Sequence, residues 1–517
     1  MHAHRLLVAV AVLAVTTAPM VAAAPVAPTT VPVSPTDASP FTGCTADFAD
    51  LQRLIGFVDH PNSEVEPYVA VNPTNPDNLI AVWQQDRWDS GSSRGNLAGV
   101  SFDGGENWTL VDDTGSNACT GNSFWAKATD PWVTFAPDGT AYSMHLAVWT
   151  TTILSEETSR FDGMLVTRST DGGLTWEEPT TLVLDTSWTA FNDKNSITAD
   201  PNDSNFVYAV WDVLIGPPSN NGNPRAGMNS TAFTGDTIFT RSTDGGETWE
   251  PIRPILDPGA LNQTVGNQIV VRPASVGGEL VNVFNLFHTV ANAQGSRGDK
   301  VAVQISADHG STWSEAAVVD KLLARPTVDP DTSLPVRTAN FIPDAAVDPT
   351  NGHLYAVWED ARFSGGAYND AALVTSTDGG HTWSSPISVP RDLTGVAGLN
   401  RQSFIPQVHA SADGRLAVSY YDFRHNDGSG LSEVDYFVNQ CAAPDASQPD
   451  LYAGDWIETR VTAQSFDIRE APVTVRGFFL GDYVGLTDVP GAFATVFAVS
   501  SAGDPATVHY GTVPFSP

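Results

Sequence analysis

The chain has 517 residues, in which 59 acidic side chains oppose 25 basic ones, so its formal net charge at pH 7 is −34. A surface this negative repels nucleic-acid phosphates and anionic lipid head groups, which excludes nucleic acid as a partner. A hydrophobic fraction of 41% is too high for a disordered chain, and three cysteines exclude a disulfide-dense scaffold.

The first 24 residues have the pattern of a secretory signal peptide, with a weakly basic start and an apolar run from Leu6 to Val15. That run is too short to span a bilayer, and no later segment reaches 18 uninterrupted apolar residues. We therefore expect a secreted, extracellular protein without membrane insertion. Residues 25–50 are rich in Pro and Thr and are predicted to form a flexible tether, followed by a single domain over residues 51–517.

An eight-residue pattern, Ser-x-Asp-x-Gly-x-Thr-Trp, occurs five times in this domain. The copies begin at Ser101, Ser169, Ser242, Ser306 and Ser376, and the first has Asn in place of Thr. Asp and Gly are turn residues, so each copy is predicted to close a hairpin between two strands. The pattern resembles the Asp-box, or bacterial neuraminidase repeat, of the sialidase-like propellers, and the resemblance covers nearly all of the chain after the tether.

A second pattern precedes each box and consists of two apolar runs separated by a turn, as in Tyr68–Pro73 followed by Leu79–Trp83. It occurs seven times, the last two without a box afterwards. Four-stranded antiparallel sheets repeated radially are the blades of a β-propeller. The predicted fold is therefore an all-β propeller with seven blades, or with six, the number in sialidases of known type.

The seventh unit has about three strands of its own. Arg53–Val58, ahead of the first unit, is predicted to supply the missing outer strand, which would close the ring and remove an exposed edge. Secretion also permits disulfides, and Cys44, Cys119 and Cys441 allow one bridge. The geometry of the ring favours Cys44 with Cys441, and the remaining cysteine is expected to be a buried thiol.

In a propeller the box turns lie at one end, and the loops at the opposite end surround the central funnel, where sites cluster. Most residues leading into the inner strands at that end are polar: Glu64, Glu66, Asp130, Asp193, Lys194, Asn267, Gln268, Asp344, Gln407, Asp482 and Tyr483. The loops after three of the second strands add an Asp followed by an Arg: Asp86 with Arg87, Asp360 with Arg362, and Asp422 with Arg424.

The resemblance to sialidases implies three arginines that hold the carboxylate of sialic acid, and Arg87, Arg362 and Arg424 are the candidates. The competing interpretation is that these arginines form ion pairs between blades. The Phe/Tyr-Arg-Ile-Pro motif of sialidases is absent, and Val65-Glu66-Pro67 stands where it is expected. The funnel also holds more acids than bases, which suits a cation or a neutral sugar better than sialic acid.

The resemblance also implies a tyrosine nucleophile activated by a carboxylate. Tyr483 and Tyr421 are the candidates, with Glu66 as the activating base. Asp86 or Asp130 is the candidate acid.

The sequence thus predicts a secreted sialidase-like propeller that acts on glycans as an exo-acting glycoside hydrolase. The alternative is a non-catalytic extracellular propeller that binds a glycan or a protein. We expect a monomer whose partner is a glycan or glycoconjugate and which requires no cofactor. Ca²⁺ is the candidate cation, because it prefers carboxylate oxygens such as those of the funnel.

Overall fold

The computed structural model describes residues 29–34, 38–44, 57–112, 114–153, 156–187, 190–216, 234–260, 262–288, 298–441 and 456–516. The predicted signal peptide lies outside these ranges. Helices in the described residues are five short 3-10 turns, Ala118–Thr120, Ala274–Val276, Arg362–Ser364, Gly398–Arg401 and Ile468–Glu470. The all-β prediction is therefore confirmed. None of the helices in this part of the chain has the length and apolar character needed to cross a membrane.

Most strands belong to antiparallel groups of four, which we call units 1 to 7. Units 1 to 3 comprise Asp59–Val71, Leu79–Trp88, Ser93–Ser101 and Thr109–Val111; Lys127–Phe135, Ala141–Ile153, Glu156–Ser169 and Thr180–Asp185; and Ala190–Ala199, Val207–Ile215, Thr234–Ser242 and Arg253–Leu256. Units 4 to 6 comprise Asn262–Val271, Leu280–His288, Lys300–Ser306 and Ala317–Lys321; Asp344–Val347, Leu354–Asp360, Asp370–Ser376 and Ile387–Ser388; and Ser403–Ala410, Leu416–Asp422, Glu433–Cys441 and Trp456–Arg460. Unit 7 comprises Gly485–Val489, Ala492–Ser501, Asp504–Pro514 and Thr29–Pro32. Each unit has the antiparallel strand order of a propeller blade.

The first strand of each unit, here its inner strand, packs against the inner strand of the next unit, and that of unit 7 packs against that of unit 1. Apolar side chains fill the space between neighbouring units. One cluster, for example, joins Met144 and Val166 of unit 2 to Ile197 and Val207 of unit 3. Burial of these side chains between sheets is the main force that holds the units together.

The five boxes are structural turns. In the third, the Asp244 carboxylate accepts hydrogen bonds from Thr248 N at 2.9 Å and from Ser242 Oγ at 2.7 Å, and Ser242 Oγ accepts one from Gly246 N at 2.8 Å. The same bonds recur in the boxes that begin at Ser101, Ser169, Ser306 and Ser376. The predicted role of the boxes in closing hairpins is confirmed.

The N-terminal segment corrects three expectations. Thr29–Pro32, predicted to be part of a tether, is the fourth strand of unit 7, so it takes the place that Arg53–Val58 was predicted to fill. Residues 53–56 lie outside the described ranges, and Phe57 and Val58 are not in a strand. Cys44 is bonded to Cys119 rather than to Cys441, which is buried and lies outside this bridge. The reason is that the chain after Thr29–Pro32 turns onto unit 1, where Phe41 and Cys44 pack beside Cys119.

A small sheet outside the repeat also contributes to the centre of the molecule. It consists of Thr327–Val328, Pro335–Arg337, Val473–Thr474 and Gly477–Phe479, which come from the chain between units 4 and 5 and between units 6 and 7. We call it the bridging sheet. It contacts unit 1 through the His60 ring, whose Nε2 lies 3.1 Å from Val473 O, and through Val475 N, which donates to Asp89 O.

Candidate functional site: a buried ion cluster beside an inner-strand pocket

Bulges in the inner strands direct charged side chains toward each other. The pairing register shifts around Glu66 in unit 1, Asp130 in unit 2 and Lys194 in unit 3, and these residues have φ values of 52°, 47° and 48°. A bulge bends the strand and re-aims its side chains, and a left-handed backbone at non-glycine residues persists only where the surroundings enforce it. The bulges of three neighbouring units therefore bring two acidic side chains and one basic side chain close together.

The three side chains meet Asp482 and Arg337 in a buried ion cluster. Lys194 Nζ lies 2.6 Å from Asp482 Oδ2, 3.5 Å from Asp130 Oδ2 and 3.6 Å from Glu66 Oε1. Arg337 of the bridging sheet donates from Nε to Asp482 Oδ1 at 3.0 Å and makes a second bond to the other carboxylate oxygen. The side chains of Glu66 and Asp482 are each 1% exposed, so the carboxyl groups of the cluster are removed from water, and an ionised one needs a cation beside it.

The carboxyl groups of the cluster differ in the direction in which their pKa values are shifted. Burial alone would raise the pKa of Asp482, but Arg337 and Lys194 overcome it and hold that pKa well below its ordinary value. Burial is likewise outweighed at Asp130, whose pKa is lowered by Lys194. At Glu66 burial prevails, and its pKa is raised well above the ordinary value in spite of Lys194. Asp130 and Asp482 are therefore the ionised carboxylates that contact Lys194, and Asp482 also pairs with Arg337.

Arg87 lies at the edge of this cluster without joining its ion pairs. Its guanidinium carbon is 4.8 Å from the centre of the Phe479 ring, and that of Arg337 is 4.3 Å from the same ring. Arg87 Nη1 donates to Gln84 Oε1, and the side chain is almost completely buried. The bridging sheet, through Phe479 and Arg337, thus covers the end of the inner strands where the open funnel was predicted.

A pocket lies beside the cluster, among the inner strands of units 2 to 7. Its lining comprises Trp132, Lys194, Asn195, Ser196, Gly266, Asn267, Gln268, Ile342, Pro343, Asp344, Gln407 and Tyr483. We call it the inner-strand pocket. Six of the polar residues predicted to surround the funnel are in this lining, and Tyr483 is the one candidate catalytic residue among them.

Aromatic rings form one wall of the inner-strand pocket. The Trp132 ring stacks on Tyr68 at 3.8 Å between centroids and meets the Tyr483 ring edge-on at 5.1 Å. Amide and carboxyl groups of Asn195, Gln268 and Asp344 are also part of the lining. The pocket therefore offers both an apolar surface and hydrogen-bonding groups.

Asp344 is the carboxyl group in the lining. Its Oδ2 accepts a hydrogen bond from Val408 N at 2.7 Å, and Gln268 Oε1 accepts one from Ala345 N at 3.0 Å. Burial raises the pKa of Asp344 to about 7, because hydrogen bonds from Val408 N, the Gln268 side chain and Ala345 N only partly offset the loss of hydration. Near neutral pH this group exists in both protonation states, as a proton donor or acceptor requires.

Two of the three arginines predicted to bind a carboxylate lie in ion pairs elsewhere. Arg362 donates from Nε to Asp360 Oδ1 at 2.9 Å and from Nη1 to Asp320 Oδ2 of unit 4 at 3.1 Å. Arg424 pairs with Asp422 and with Glu458 of its own unit. Neither shares a partner with Arg87, so the structure does not assemble the predicted triad. Ion pairing between units, the competing interpretation, describes Arg362, whereas Arg424 pairs within its own unit.

Other acids after the second strands also have structural partners. Asp212 Oδ2 accepts from Gly266 N at 3.1 Å, and Glu359 Oε1 accepts from Ile405 N at 3.1 Å, in each case at the inner-strand bulge of the next unit. These bonds satisfy backbone groups that the bulges remove from the strand ladder. Part of the acidic lining predicted from the sequence therefore joins neighbouring units.

The predicted nucleophiles are not arranged for that role. Tyr421 is fully buried, and its hydroxyl donates to Ala498 O and accepts from Ala498 N. The Tyr483 hydroxyl donates to Pro131 O at 2.9 Å, and burial, together with Glu66, Asp130 and Asp482, raises its pKa well above the ordinary value. A nucleophile needs the opposite shift. Tyr483 is placed instead as part of the aromatic wall.

The predicted acids occupy different environments. Asp130 belongs to the buried ion cluster, where its lowered pKa opposes proton donation. Asp86 accepts hydrogen bonds from Asn62 N at 2.8 Å and from Ser39 Oγ of the N-terminal segment, so it anchors that segment to unit 1.

The sequence did not identify several residues of the site, among them Trp132, Asn195, Arg337 and Phe479. Trp132 was assigned to an inner strand as an ordinary apolar residue, and Asn195 follows a predicted link residue directly. Arg337 and Phe479 lie in the bridging sheet, whose short strands carry no repeat pattern. One signal could have identified Trp132, namely the alternation of inward and outward side chains along its inner strand. A bulge at Asp130 changes which face of the sheet the residues after it point to.

Within the described ranges, no group of three or more His, Cys, Asp or Glu side chains is arranged to hold a metal ion. Lys194 occupies the centre of the acidic cluster instead. Binding of Ca²⁺ remains a prediction.

Residues 240–251, which include the third box, match the family described as BNR/Asp-box repeat. No curated protein matches the sequence. The chain is similar to the Hadza microbial sialidase Hz136, with 16% identity over 85% of this chain and 75% of that chain and a TM-score of 0.45. It is similar to the intramolecular trans-sialidase from Ruminococcus gnavus, with 14% identity over 88% and 96% and a TM-score of 0.43, and to an alpha-L-arabinanase of Penicillium chrysogenum, with 11% identity over 87% and 93% and a TM-score of 0.40. This protein carries the BNR/Asp-box repeat.

Proposed function

We propose that the protein is a secreted, monomeric, seven-bladed β-propeller that binds a glycan in the inner-strand pocket. The contacts between successive inner strands, which return from unit 7 to unit 1, support a closed ring of seven blades. The pairing of Thr29–Pro32 with Asp504–Pro514 supports closure by an N-terminal strand. The signal pattern at the N-terminus and the Cys44–Cys119 disulfide support secretion.

The combination of an aromatic wall with buried amides carries the proposal of glycan binding. A sugar ring has apolar C–H faces and a rim of hydroxyl groups, so it needs both kinds of surface. Trp132 and Tyr483 supply the first, and Asn195, Gln407 and Asp344 supply polar groups beside them. Pockets that bind small ligands have this composition, an apolar lining with a few placed polar groups.

Replacing Trp132 with alanine is expected to weaken glycan binding by about 30-fold, or roughly 2 kcal/mol, because the central aromatic surface is lost. The measurement is isothermal titration calorimetry with a glycan selected from an array. Trp313→Ala, which truncates a box tryptophan outside the pocket lining, is the matched control and is expected to leave the affinity unchanged. Equal affinity of the Trp132→Ala variant and the wild type would rule out this pocket as the binding site.

A glycoside hydrolase is the second candidate, and the environment of Asp344 favours it. A hydrolase needs a carboxyl group that still holds its proton near neutral pH and a second one that is ionised. Asp344, with a pKa of about 7, lines the pocket together with Lys194, and Lys194 contacts the ionised Asp130 and Asp482. Arg87 and Tyr483 have no catalytic part in this arrangement.

If the protein is a hydrolase, Asp344→Asn is expected to lower kcat at least about a hundredfold, since general acid catalysis contributes at least that much. The activity of the wild type should fall as pH rises through about 7, where Asp344 loses its proton. Hydrolysis of a panel of fluorogenic glycosides is the assay. Glu359→Gln is the matched control, because Glu359 also has a pKa of about 7 but is bonded to Ile405 N and Asn369 outside the pocket lining. Cleavage of none of the glycosides by the wild type would reject the hydrolase and leave glycan binding as the function.

A further inference from the structure

Asn195 belongs to the lining of the inner-strand pocket and has a buried hydrogen-bond acceptor. The side chain is 3% exposed, and its Nδ2 donates to Asp130 O at 3.0 Å. Its Oδ1 is buried and has no hydrogen-bond partner among the described residues. Buried acceptors in folded proteins are nearly always satisfied, so an unsatisfied one in a pocket lining needs a donor from outside the chain, either a water molecule or a ligand.

Of the two asparagines in the pocket lining, Asn195 is the one with an unsatisfied side-chain oxygen. Both asparagines line the pocket from neighbouring inner strands. The Asn267 Oδ1 accepts from Asn282 Nδ2 at 2.9 Å and from Thr237 Oγ1 at 3.1 Å, and its Nδ2 donates to Asp212. The amide of Asn267 is therefore satisfied by the protein, whereas the side-chain oxygen of Asn195 has no partner among the described residues.

The cationic residue of the pocket lining is already neutralised. Lys194 has three carboxyl groups within 3.6 Å of its Nζ, and those of Asp130 and Asp482 are the ionised ones. Arg337 is held by both oxygens of Asp482, and Arg87 is buried against Phe479 outside the lining. A carboxylate on a ligand would lose its hydration and meet the oxygens of Asn195 and Asp344 without a cation to pair with.

We infer that the inner-strand pocket selects an uncharged sugar unit, one of whose hydroxyl groups donates a hydrogen bond to Asn195 Oδ1, and that it excludes acidic sugars. This inference rests on the proposed function and names its ligand class. It departs from the sialic-acid specificity that the resemblance to sialidases implies. Hydroxyl groups fit because they donate to the oxygens that the lining offers, and because they carry no charge that would have to be desolvated.

The test uses the full-length secreted protein on a glycan panel in which each neutral core is present with and without a terminal sialic or uronic acid. Neutral cores are expected to bind at least tenfold more tightly than their acidic counterparts. Equal or tighter binding of the acidic forms, lost in Trp132→Ala, would overturn the inference and leave glycan binding in this pocket intact. Binding of no glycan at all would overturn the proposed function as well.

A variant at Asn195 tests the contact itself. Asn195→Ala is expected to weaken binding of the selected neutral glycan by about 3- to 10-fold, the effect of one hydrogen bond between uncharged groups. Asn75→Ala, an exposed asparagine outside the pocket, is the control and should bind like the wild type. Thermal unfolding of both variants shows whether the fold is retained. A folded Asn195→Ala variant with unchanged affinity would show that Asn195 makes no contact with the glycan.

Discussion

A Lys194→Met variant is expected to lose about 3–5 kcal/mol of unfolding free energy at pH 7, because removing one partner of a buried ion pair leaves the other charges uncompensated. Methionine keeps most of the volume of the side chain, so packing changes little. Asp130 then keeps a buried negative charge with no cation at its Oδ2, whereas Asp482 retains Arg337. Urea denaturation of the wild type and the variant measures the difference.

The unfolding free energy lost in Lys194→Met should be larger at neutral pH than at acidic pH. In the wild type the folded pKa values of Asp130 and Asp482 are depressed, so these groups stabilise the fold above the unfolded pKa of about 3.9 and stop doing so as pH falls through the folded values. Without Lys194 the effect of burial prevails at Asp130, its folded pKa rises, and its ionisation destabilises the fold above pH 4. The deficit of the variant should therefore be largest above about pH 5 and shrink towards pH 3.

Two further variants make this result interpretable. Lys321→Met removes an exposed lysine and should be close to wild type at every pH. Lys194→Arg keeps the charge and should lose less than Lys194→Met. If Lys194→Met were as stable as the wild type, the cluster would make no net contribution and the carboxyl groups would have to be neutral already.

The features of this fold that repeat in the sequence could be predicted, because each copy repeats a local physical pattern. The bonds within a box, such as Asp244 to Thr248 N, join residues four apart, so the eight-residue motif contains all of the turn. The alternation of apolar runs and turns located the inner strands, and hence Lys194, Asp344 and Gln407, at the centre. Residues at equivalent positions of a repeat share a location even when their chemistry differs.

Contacts between distant segments could not be predicted in the same way. An Asp two residues before an Arg is compatible with a funnel site and also with an ion pair between units. Whether Arg362 reaches Asp320 depends on the distance between the neighbouring sheets, which the sequence does not contain. The bridging sheet joins segments about 140 residues apart through strands of two or three residues. Such short strands carry too little alternation to be recognised, and their presence turns the predicted open funnel into a covered cluster.

The Cys44–Cys119 disulfide restricts the unfolded chain and so stabilises the fold. Replacing both Cys44 and Cys119 with serine is expected to lower the unfolding free energy by about 4 kcal/mol, since the bridge closes a loop with a sequence separation of 75 in the unfolded chain. The bridge also holds the segment that follows Thr29–Pro32 against unit 1. Its loss should therefore loosen the strand that completes unit 7 and expose the edge of Asp504–Pro514.

Chemical denaturation with and without a reductant, together with hydrogen exchange, tests this account. Reductant should bring the wild type to the stability of the double variant and leave the double variant unchanged, whereas Cys441→Ala should still respond to reductant because Cys441 lies outside the bridge. Faster exchange should be confined at first to residues 29–34 and to Asp504–Pro514, where Val33 N donates to Val508 O. Exchange that accelerated evenly in all seven units would mean that the disulfide stabilises the domain as a whole, and that the N-terminal strand has no separate part in joining unit 7 to unit 1.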